Sequence, residues 1–267
     1  MNKLAFITGT SSGIGKATVE KFAREGWKVI ATMRRAERAK EFGWPDNVVV
    51  KELDVTDHDG VSRVAREVIE EHGVPYAVIN NAGCSVMGSV EDTPLEDVKR
   101  VFEVNYFGTV SVIRAFLPHM REKGEGVIVN VSSVVGRNSM PLIAHYCATK
   151  YAIEGLSEAL WHEVKKFGIR VVVIEPGTIK TQLVNKAKVI PSTISEGSPY
   201  GKMAKRVAEI VSDGSPPEEV ADVIWKAVNS KAERLRYTVG EKSSYLLLRR
   251  LLPESIFLTL AHEYFGG

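Results

Sequence analysis

The sequence is poor in cysteine, with only Cys84 and Cys147 among 267 residues. Two cysteines this far apart give neither the closely spaced ligand pairs of a zinc site nor a disulfide framework, which excludes both classes and favours a reducing compartment. The histidines also lack ligand spacing, and His145 either lines a pocket or lies at the surface. We therefore expect no bound metal and a cytoplasmic location.

A long hydrophobic run and an excess of one charge are lacking as well. No stretch reaches the ~18 apolar residues of a membrane span, and the start before the first apolar run is too short for a signal peptide. The formal net charge is +2, and basic residues are scattered among acidic ones, so nothing indicates nucleic-acid binding. A small anionic ligand is compatible with this balance.

What the sequence does contain is a regular alternation of two patterns. Its hydrophobic (44%) and charged (25%) fractions are typical of a globular protein with a sizeable core. Short apolar runs lie at 4–7, 28–32, 48–50, 77–80, 126–131 and 170–174, with an edge strand at 236–239. Segments of helical period begin near 14 and cover 57–71, 94–121, 146–167 and 217–228. The alternation predicts an α/β fold, a doubly wound parallel sheet with helices on both faces, which binds ligands at the carboxyl ends of its strands.

The stretch 178–217 breaks this alternation. It follows a strand end and carries Pro191, Pro199, Pro216 and Pro217 among scattered Ser and Gly. We interpret it as a mobile substrate-loop lid on a single domain spanning 1–267. A Leu-rich C-terminal segment, 245–267, follows. Its run 246–252 could bind a membrane surface, but Pro253 and a single basic pair favour burial at a subunit contact or over the pocket, so membrane association is not expected.

A glycine-rich loop connects the first predicted strand to the first helix. Its sequence, Thr8-Gly9-Thr10-Ser11-Ser12-Gly13-Ile14-Gly15, would let the backbone approach a pyrophosphate at the helix N-terminus. The spacing is G-x-x-x-G-x-G rather than the common G-x-G-x-x-G, and a lone glycine-rich stretch is often only a turn. The loop is a candidate phosphate site whose weight depends on other motifs.

Tyr146 and Lys150 are four residues apart, so on a helix both project from the same face. One positive charge about 4 Å from a phenol favours the phenolate by about 4 kcal/mol, so Lys150 could bring the Tyr146 pKa from about 10 to near 7. A lone pair at this spacing is more often an ordinary surface contact. Ser132 and Ser133 follow the fifth predicted strand, where a hydroxyl can hydrogen-bond a substrate oxygen. These side chains form a candidate catalytic group.

Together the motifs resemble the short-chain dehydrogenase/reductase family. Thr-Gly-x-x-x-Gly-Ile-Gly after a first strand is its fingerprint, and residues 146–150 match its Tyr-x-x-x-Lys. Further matches follow in the family's order over about residues 3–240, at Asp54-Val55, Asn80-Asn81-Ala82-Gly83 and Pro176-Gly177 with Thr181. The resemblance implies a Rossmann-type fold, a nicotinamide cofactor and a small-molecule carbonyl or alcohol substrate.

The resemblance also implies which residues bind the cofactor. They are Gly9, Ser11, Ser12, Gly13, Ile14, Gly15, Arg34, Asp54, Val55, Asn81, Ala82, Gly83, Tyr146, Lys150, Pro176, Gly177, Ile179 and Thr181. For Asp54 taken alone, a helix-capping or solvated loop role would be the default.

The catalytic residues that the resemblance implies are Asn105, Ser133, Tyr146 and Lys150. Tyr146 would deliver or remove the proton of the substrate oxygen, which Ser133 orients, while Ser132 would be structural. Lys150 would lower the Tyr146 pKa and hold the nicotinamide ribose. Asn105 would hold a water that relays protons through Lys150, unless it is a buried asparagine that satisfies backbone groups. A catalytically silent nucleotide-binding regulatory protein of the same fold is the alternative, which the intact set of four disfavours.

The residues after the second strand favour NADP(H), with NAD as the weaker alternative. An acidic residue usually meets the free 2′-hydroxyl of NAD at this point, whereas here Met33 precedes Arg34 and Arg35. Arg34 can offer a guanidinium to the 2′-phosphate and Ser12 a hydroxyl, while Arg35 is expected in solvent. The competing interpretation is that both arginines merely start an exposed helix.

Residues 29–35, 236–240 and 246–253 resemble the hydroxysteroid/retinol dehydrogenase-like branch, whose substrates are bulky and apolar. The candidate pocket residues are largely apolar, which would equally suit simple aliphatic or aromatic carbonyls; they are Val134, Val135, Met140, Leu142, Ile143, Leu183 and Val184.

The resemblance further implies a homodimer or homotetramer. Helices 94–121 and 146–167 would pack across a two-fold axis as a four-helix bundle. Apolar positions at helical spacing on the second helix support this contact, unless they bury within the subunit; they are Ala152, Leu156, Ala159 and Leu160.

Overall fold

The computed structural model describes residues 3–185, 187–212, 214–241, 249 and 251–266. A parallel sheet of seven strands lies at its centre, in the order β3-β2-β1-β4-β6-β7-β9. These strands are β1 (Leu4–Thr8), β2 (Lys28–Met33), β3 (Val48–Glu52), β4 (Ala77–Asn80), β6 (Gly126–Val131), β7 (Ile169–Pro176) and β9 (Arg236–Val239). A separate parallel pair joins β5 (Val86–Met87) to β8 (Lys188–Val189). The strands predicted from the apolar runs are all present, and the predicted edge strand is β9.

Most of the longer helices lie at predicted positions, whereas those at 201–212 and 254–264 lie in segments where no helix was predicted. They are α1 (Gly13–Arg24), α2 (His58–His72), α3 (Leu95–Phe102), α4 (Gly108–Lys123), α5 (Ala144–Val164), α8 (Gly201–Ser212), α9 (Pro217–Asn229) and α10 (Glu254–Tyr264). Two short helices, α6 (Gln182–Asn185) and α7 (Pro191–Ile194), lie between β7 and α8.

Helices cover both faces of the sheet because its strands are apolar on both faces. Alternate residues of β1 point to opposite sides: Ala5 and Ile7 join one core cluster, and Leu4 and Phe6 join the other. The first cluster includes side chains of α1 and α9, and the second includes side chains of α2, α4 and α5. The doubly wound, Rossmann-type α/β fold predicted from the sequence is confirmed.

The strand order places a switch point between β1 and β4. From β1 the chain builds β2 and β3 on one side, and then crosses to β4 on the other side of β1. The connections leaving β1 and β4 diverge at their carboxyl ends, which opens the crevice where ligands bind in such sheets. The glycine-rich loop after Thr8 and the segment after Asn80 meet there.

The segment 94–121 is not the single regular helix that the sequence predicts. A π-helical turn, Glu103–Phe107, separates α3 from α4, and the Gly108 N–H donates to the Glu103 carbonyl five residues earlier. Turns of this kind insert an extra residue and often occur at functional sites. Here the turn contains Asn105, which is 1% exposed.

The segment 178–217 contains more regular structure than a loop. It includes α6, β8, α7 and α8, and β8 pairs with β5 at the far side of the crevice. Its role as a mobile lid stays a prediction. The C-terminal run 246–252 lies mostly outside the described residues, apart from Arg249 and the exposed Leu251 and half-buried Leu252. Among the described residues, no helix is long and apolar enough to cross a bilayer.

Two of the four apolar positions predicted to form a subunit contact on α5 instead pack within the chain. Leu160 is buried within the chain, and Leu156 packs against the same core cluster, because this side of α5 faces the sheet. Ala159 is exposed and Ala152 half-buried. The four-helix bundle itself stays a prediction.

Candidate active site

The loop between β1 and α1 forms a cradle that only glycine permits. Gly9 and Gly13 have φ angles of 70° and 54°, in the left-handed region. A Cβ at Gly9 would lie 2.7 Å from the Ala82 Cα, and a Cβ at Gly15 would collide with the Gly9 carbonyl oxygen. Ser12 begins the helix without a side-chain cap, and the first turn of α1 has no acidic residue. The open, positive helix end fits a pyrophosphate.

Hydrogen bonds from the end of β4 hold this cradle in place. The Asn81 Nδ2 donates to the carbonyl oxygens of Thr8 (2.9 Å) and Gly9 (3.1 Å). The Thr8 hydroxyl accepts from the backbone N–H groups of Asn81 and Ala82, both at 3.0 Å. Asn81 therefore shapes the loop through its side chain. Thr8 was recognised only as part of the glycine-rich loop, and its role in holding the loop was not predicted. A threonine that ends a buried strand just before such a loop could have indicated this role.

The side of the crevice beyond β2 and β3 carries the residues predicted to meet the adenosine. Arg34 is exposed and lines the cavity, whereas Arg35 is exposed and does not line it. Asp54 Oδ1 accepts from both the N–H (3.0 Å) and the hydroxyl (2.8 Å) of Thr56, so it also fixes the local turn. Val55 is buried and packs so closely against Gly108 that a Cβ at Gly108 would collide with its side chain.

Three of the predicted catalytic side chains come together at the carboxyl ends of β6 and β7. Tyr146 and Lys150 lie on α5, with the Lys150 Nζ 5.5 Å from the Tyr146 ring centroid and donating to the Val131 carbonyl at 2.8 Å. Ser133, directly after β6, donates to the Pro176 carbonyl at 3.2 Å, and its hydroxyl favours the ionised form of the nearby Tyr146 phenol. The Tyr146 phenol, the Ser133 hydroxyl and the Lys150 ammonium line one wall of the cavity.

The electrostatics of this group differ from the sequence expectation. Burial raises the pKa of Tyr146 above its ordinary value, the negative charges that Cys147 and Cys84 would carry act in the same direction, and the Ser133 hydrogen bond opposes them. Burial also lowers the pKa of Lys150 to about 8. The direction is opposite to the decrease in the Tyr146 pKa expected from Lys150, because desolvation penalises the phenolate more than its surroundings stabilise it. The phenol stays protonated at neutral pH.

Asn105 is brought to the site but its side chain is occupied by structural bonds. Its Oδ1 accepts from the Cys84 N–H (2.8 Å), and its Nδ2 donates to the Cys84 carbonyl (2.9 Å) and to the Thr149 hydroxyl (3.0 Å). The backbone-satisfying alternative thus describes this amide. These bonds fix the chain after Gly83 against α5. The contact with Thr149 was not predicted, because the separation of Thr149 and Asn105 along the sequence does not indicate that they meet.

The segment after β7 bends back over the glycine loop. The Gly177 N–H donates to the Val239 carbonyl at 2.8 Å, and Ile179 pairs with Ser215. Thr181 lies where a Cβ on Gly13 would touch its side chain at 3.1 Å. Pro176, Gly177, Ile179 and Thr181 all line the cavity, although the Ile179 side chain is buried in the core.

The cavity has a volume of about 830 Å³ and extends from the glycine loop past Tyr146. Five of the predicted pocket residues line it: Val134, Val135, Met140, Ile143 and Leu183. Leu142 does not line the cavity, because its side chain is buried against Ala204 and Val207. Its φ angle is 62°. The Val184 side chain lies outside the described residues. His145 is not among the lining residues.

The other end of the cavity is lined by one residue of β5 and by side chains from the predicted lid 178–217 and the C-terminal segment 245–267, which was expected at a subunit contact or over the pocket. None of these side chains was predicted individually. They are Met87, Val207, Ile210, Val211, Tyr264 and Phe265. The Arg206 Nε donates to the Tyr264 carbonyl at 3.1 Å, which ties the end of α10 to α8. The far wall is largely apolar.

Within the described part of the chain, no group of three or more His, Cys, Asp or Glu side chains could hold a metal ion. The glycine cradle and the Ser133, Tyr146 and Lys150 group instead define a dinucleotide-dependent oxidoreductase of the doubly wound class. Residues 3–189 match the family model for the short chain dehydrogenases. The chain belongs to the short-chain dehydrogenase/reductase family, whose members are oxidoreductases acting on alcohol and carbonyl groups.

Relatives and solved structures agree with this membership over nearly the whole chain. An uncharacterized oxidoreductase, YusZ of Bacillus subtilis (strain 168), is 34% identical over 95% of each chain. The NADPH-dependent 3-dehydrocapnine reductase of Ornithobacterium rhinotracheale is 33% identical over 97% of each chain. A short-chain dehydrogenase from Streptomyces avermitilis is similar in structure, with a TM-score of 0.86 and 33% identity over 98% of this chain and 96% of its own.

Similar structures hold either nicotinamide dinucleotide. ElxO with NADP bound has a TM-score of 0.77 and 27% identity, covering 92% of this chain and 100% of its own. A short-chain dehydrogenase/reductase from Burkholderia phymatum in complex with NAD has a TM-score of 0.80 and 26% identity, covering 97% and 95%. The family binds NAD or NADP, and the glycine cradle of this chain fits the shared pyrophosphate.

Proposed function

We propose that this chain is an NADP(H)-preferring oxidoreductase that transfers a hydride between nicotinamide and a carbonyl or secondary alcohol. One observation carries the proposal: Ser133, Tyr146 and Lys150 line the same cavity into which the glycine cradle opens. A site that only held a nucleotide would not need a phenol, a hydroxyl and an ammonium beside the space for a substrate.

Each catalytic residue is assigned one task. The bound cofactor supplies or accepts the hydride. Tyr146 transfers the proton of the substrate oxygen, and Ser133, which lines the same cavity, orients that oxygen. The raised pKa of Tyr146 keeps the phenol protonated at neutral pH, so the residue is equipped to donate a proton to a carbonyl. Lys150 holds the nicotinamide ribose.

Asn105 completes the proposed proton relay by placing other groups. Its amide fixes the backbone at Cys84 and the Thr149 hydroxyl, so its contribution is to hold α5 against the loop after β4. We assign the cofactor contacts to the cradle at 9–15, to Arg34, Asp54 and Val55, to 81–83, and to Pro176, Gly177, Ile179 and Thr181, together with Tyr146 and Lys150.

The preference for NADP(H) is supported by the charge beside the crevice. Arg34 is exposed at the cavity and Ser12 lines the same region without a capping bond, so both are free to meet a 2′-phosphate. A carboxylate that would repel the phosphate is lacking between Met33 and Arg35. The relative of Ornithobacterium rhinotracheale, named as NADPH-dependent, is consistent with this preference.

The proposed substrate is a bulky apolar ketone or alcohol, similar to a steroid, a retinoid or an aromatic or aliphatic ketone. Apolar side chains on both walls support it, as does the resemblance to the hydroxysteroid/retinol dehydrogenase-like branch; they are Val134, Val135, Met140, Val207, Ile210 and Val211. We further propose one domain with 178–217 as its lid, a homodimer or homotetramer, and a cytoplasmic location.

A turnover screen tests the proposal. Purified protein is incubated with ketones, aldehydes and alcohols of graded size and with each of the two cofactors, and the absorbance of the reduced nicotinamide is followed. Turnover of bulky apolar substrates with NADPH is expected. Tight cofactor binding without turnover of any substrate would instead favour a catalytically silent nucleotide-binding regulatory protein.

A further inference from the structure

A group of charged side chains that includes two buried carboxylates lies next to the proposed catalytic residues, farther along α5. Glu154 is the member closest to them along the chain, one helical turn after Lys150 and two turns after Tyr146, so the three share a face of α5. Glu154 and Lys150 are each 6% exposed. A carboxylate is rarely this buried without a partner.

The partner of Glu154 is Arg236 on the edge strand β9. The Arg236 Nε lies 2.9 Å from the Glu154 Oε2 and 3.8 Å from the Glu175 Oε1. Its Nη2 lies 2.6 Å from the Glu158 Oε2. Arg236 therefore joins two carboxylates of α5 to one of β7, and a single guanidinium serves three negative charges.

Glu175 links this group to the catalytic serine. It is 1% exposed, its Oε2 accepts from the Thr238 hydroxyl at 2.8 Å, and its Oε1 pairs with the Arg137 Nη1 at 3.3 Å. The next residue is Pro176, whose carbonyl accepts the Ser133 hydrogen bond. The group therefore borders both Ser133 and Lys150.

The charges of this group do not balance among themselves. Three carboxylates, those of Glu154, Glu158 and Glu175, face two guanidinium groups, those of Arg137 and Arg236, which leaves one negative charge. Arg249 borders the same cleft but pairs with Glu254 at 3.8 Å. Among the described residues, Lys150 is the buried cation next to this surplus along α5.

We propose that Glu154 is a positioning residue for the reaction: its carboxylate, held in place by Arg236, keeps the buried Lys150 side chain charged. The inference rests on the proposed function only for the catalytic task of Lys150.

The direction in which the Lys150 pKa changes depends on the charged and titratable groups that surround Lys150 and Glu154. Lys150 is faced by Tyr146 and Glu154 from its own helix, by Cys84 from the loop after β4 and by the Val131 carbonyl from β6. Glu154 is faced by Ser132 directly after β6, by Glu175 from β7 and by Arg236 from β9, and His162 acts on the neighbouring Glu158. Burial raises the pKa of Glu154, and the bonded Arg236 opposes this increase and favours the carboxylate. Burial lowers the pKa of Lys150 to about 8, and negative charge on Cys84 and on Glu154 opposes that decrease. Removal of the Glu154 charge must lower the Lys150 pKa further.

The test compares Glu154→Gln with a matched control, Glu158→Gln. Both substitutions remove a carboxylate bonded to Arg236, but Glu158 is exposed and one turn farther from Lys150. The Lys150 pKa is measured in the full chain by NMR titration of labelled lysine, with Lys150→Gln used to assign the signal. We expect Glu154→Gln to lower the Lys150 pKa by at least about half a pH unit and Glu158→Gln to lower it less.

The same variants are then compared in turnover. The alkaline limb of the kcat/KM profile should move to lower pH in Glu154→Gln, since Lys150 loses its charge earlier, while Glu158→Gln keeps the wild-type profile. Equal losses of Tm in both variants with an unchanged Lys150 pKa would overturn the proposal and leave Glu154 a structural strut.

A second variant keeps the inference testable if Glu154→Gln does not fold. In the double variant Glu154→Gln/Arg236→Gln, the carboxylate and the guanidinium that holds it are removed together, so neither is left buried without its partner. The Lys150 pKa should still fall, because Glu154 is the member of this pair that acts on Lys150; a pKa that does not fall overturns the proposal. A wild-type protein that shows no turnover would count against the proposed function alone, because the NMR titration needs no substrate.

Discussion

Replacement of Arg34 by alanine should remove most of the preference for NADP(H). A hydrogen bond to a charged group contributes roughly 1.5–3 kcal/mol, which corresponds to about ten- to 150-fold in affinity. Arg34 is exposed at the cavity, and water screens an exposed charge, so the lower end of this range applies. We expect Arg34→Ala to decrease kcat/KM for NADPH about tenfold and to leave kcat/KM for NADH nearly unchanged.

The neighbouring arginine supplies the control for this prediction. Arg35 is exposed as well but does not line the cavity, so Arg35→Ala should leave both values close to wild type. The wild-type preference should also shrink as salt is raised, because exposed charges are screened. The reasoning about Arg34 fails if wild-type kcat/KM is equal for the two cofactors or higher with NADH, or if Arg35→Ala has the larger effect.

Three further predictions concern the proton donor, the cradle and the assembly. Tyr146→Phe should lower kcat by 10²–10⁴-fold with cofactor affinity nearly intact, as measured by steady-state kinetics and cofactor titration, and more than about one per cent residual activity would contradict its role. Gly15→Ala should weaken cofactor binding and lower Tm, because its Cβ would collide with the Gly9 carbonyl, whereas Gly155→Ala, which has open space around it, should do neither. Light scattering should show a dimer or tetramer, and a 29.4 kDa monomer at micromolar concentration would rule the four-helix bundle out.

The fold was predictable because its signals are local. Strands that are buried on both faces must be apolar throughout, and the helices between them must carry one apolar stripe, so the run Leu4–Thr8 and the segment His58–His72 are recognisable in isolation. The π-helical turn at Asn105 was not predictable in this way. One extra residue in a helix hardly changes the apolar pattern, and the bonds that favour the turn come from Cys84 and Thr149.

The candidate site likewise combines features that are local in sequence with features that depend on tertiary packing. The glycine loop and the Tyr146 and Lys150 pair each lie within eight consecutive residues, so their geometry follows from a turn and a helix. The far wall of the cavity is drawn from α8 and the end of α10, which no sequence spacing connects to the catalytic residues. The burial of Leu142 and Leu160 likewise depends on which elements pack against them.

The sequence by itself determined the alternation of strands and helices, the loop that fits a pyrophosphate, and the spacing of the Tyr146 phenol and the Lys150 ammonium, since all of these are set by neighbours along the chain. Only the tertiary structure decided the electrostatics. The raised pKa of Tyr146, the lowered pKa of Lys150 and the meeting of Glu154 with Arg236 depend on burial and on charges far apart in sequence. Desolvation and Coulomb interactions act through space, so they are fixed only when the sheet and helices have packed.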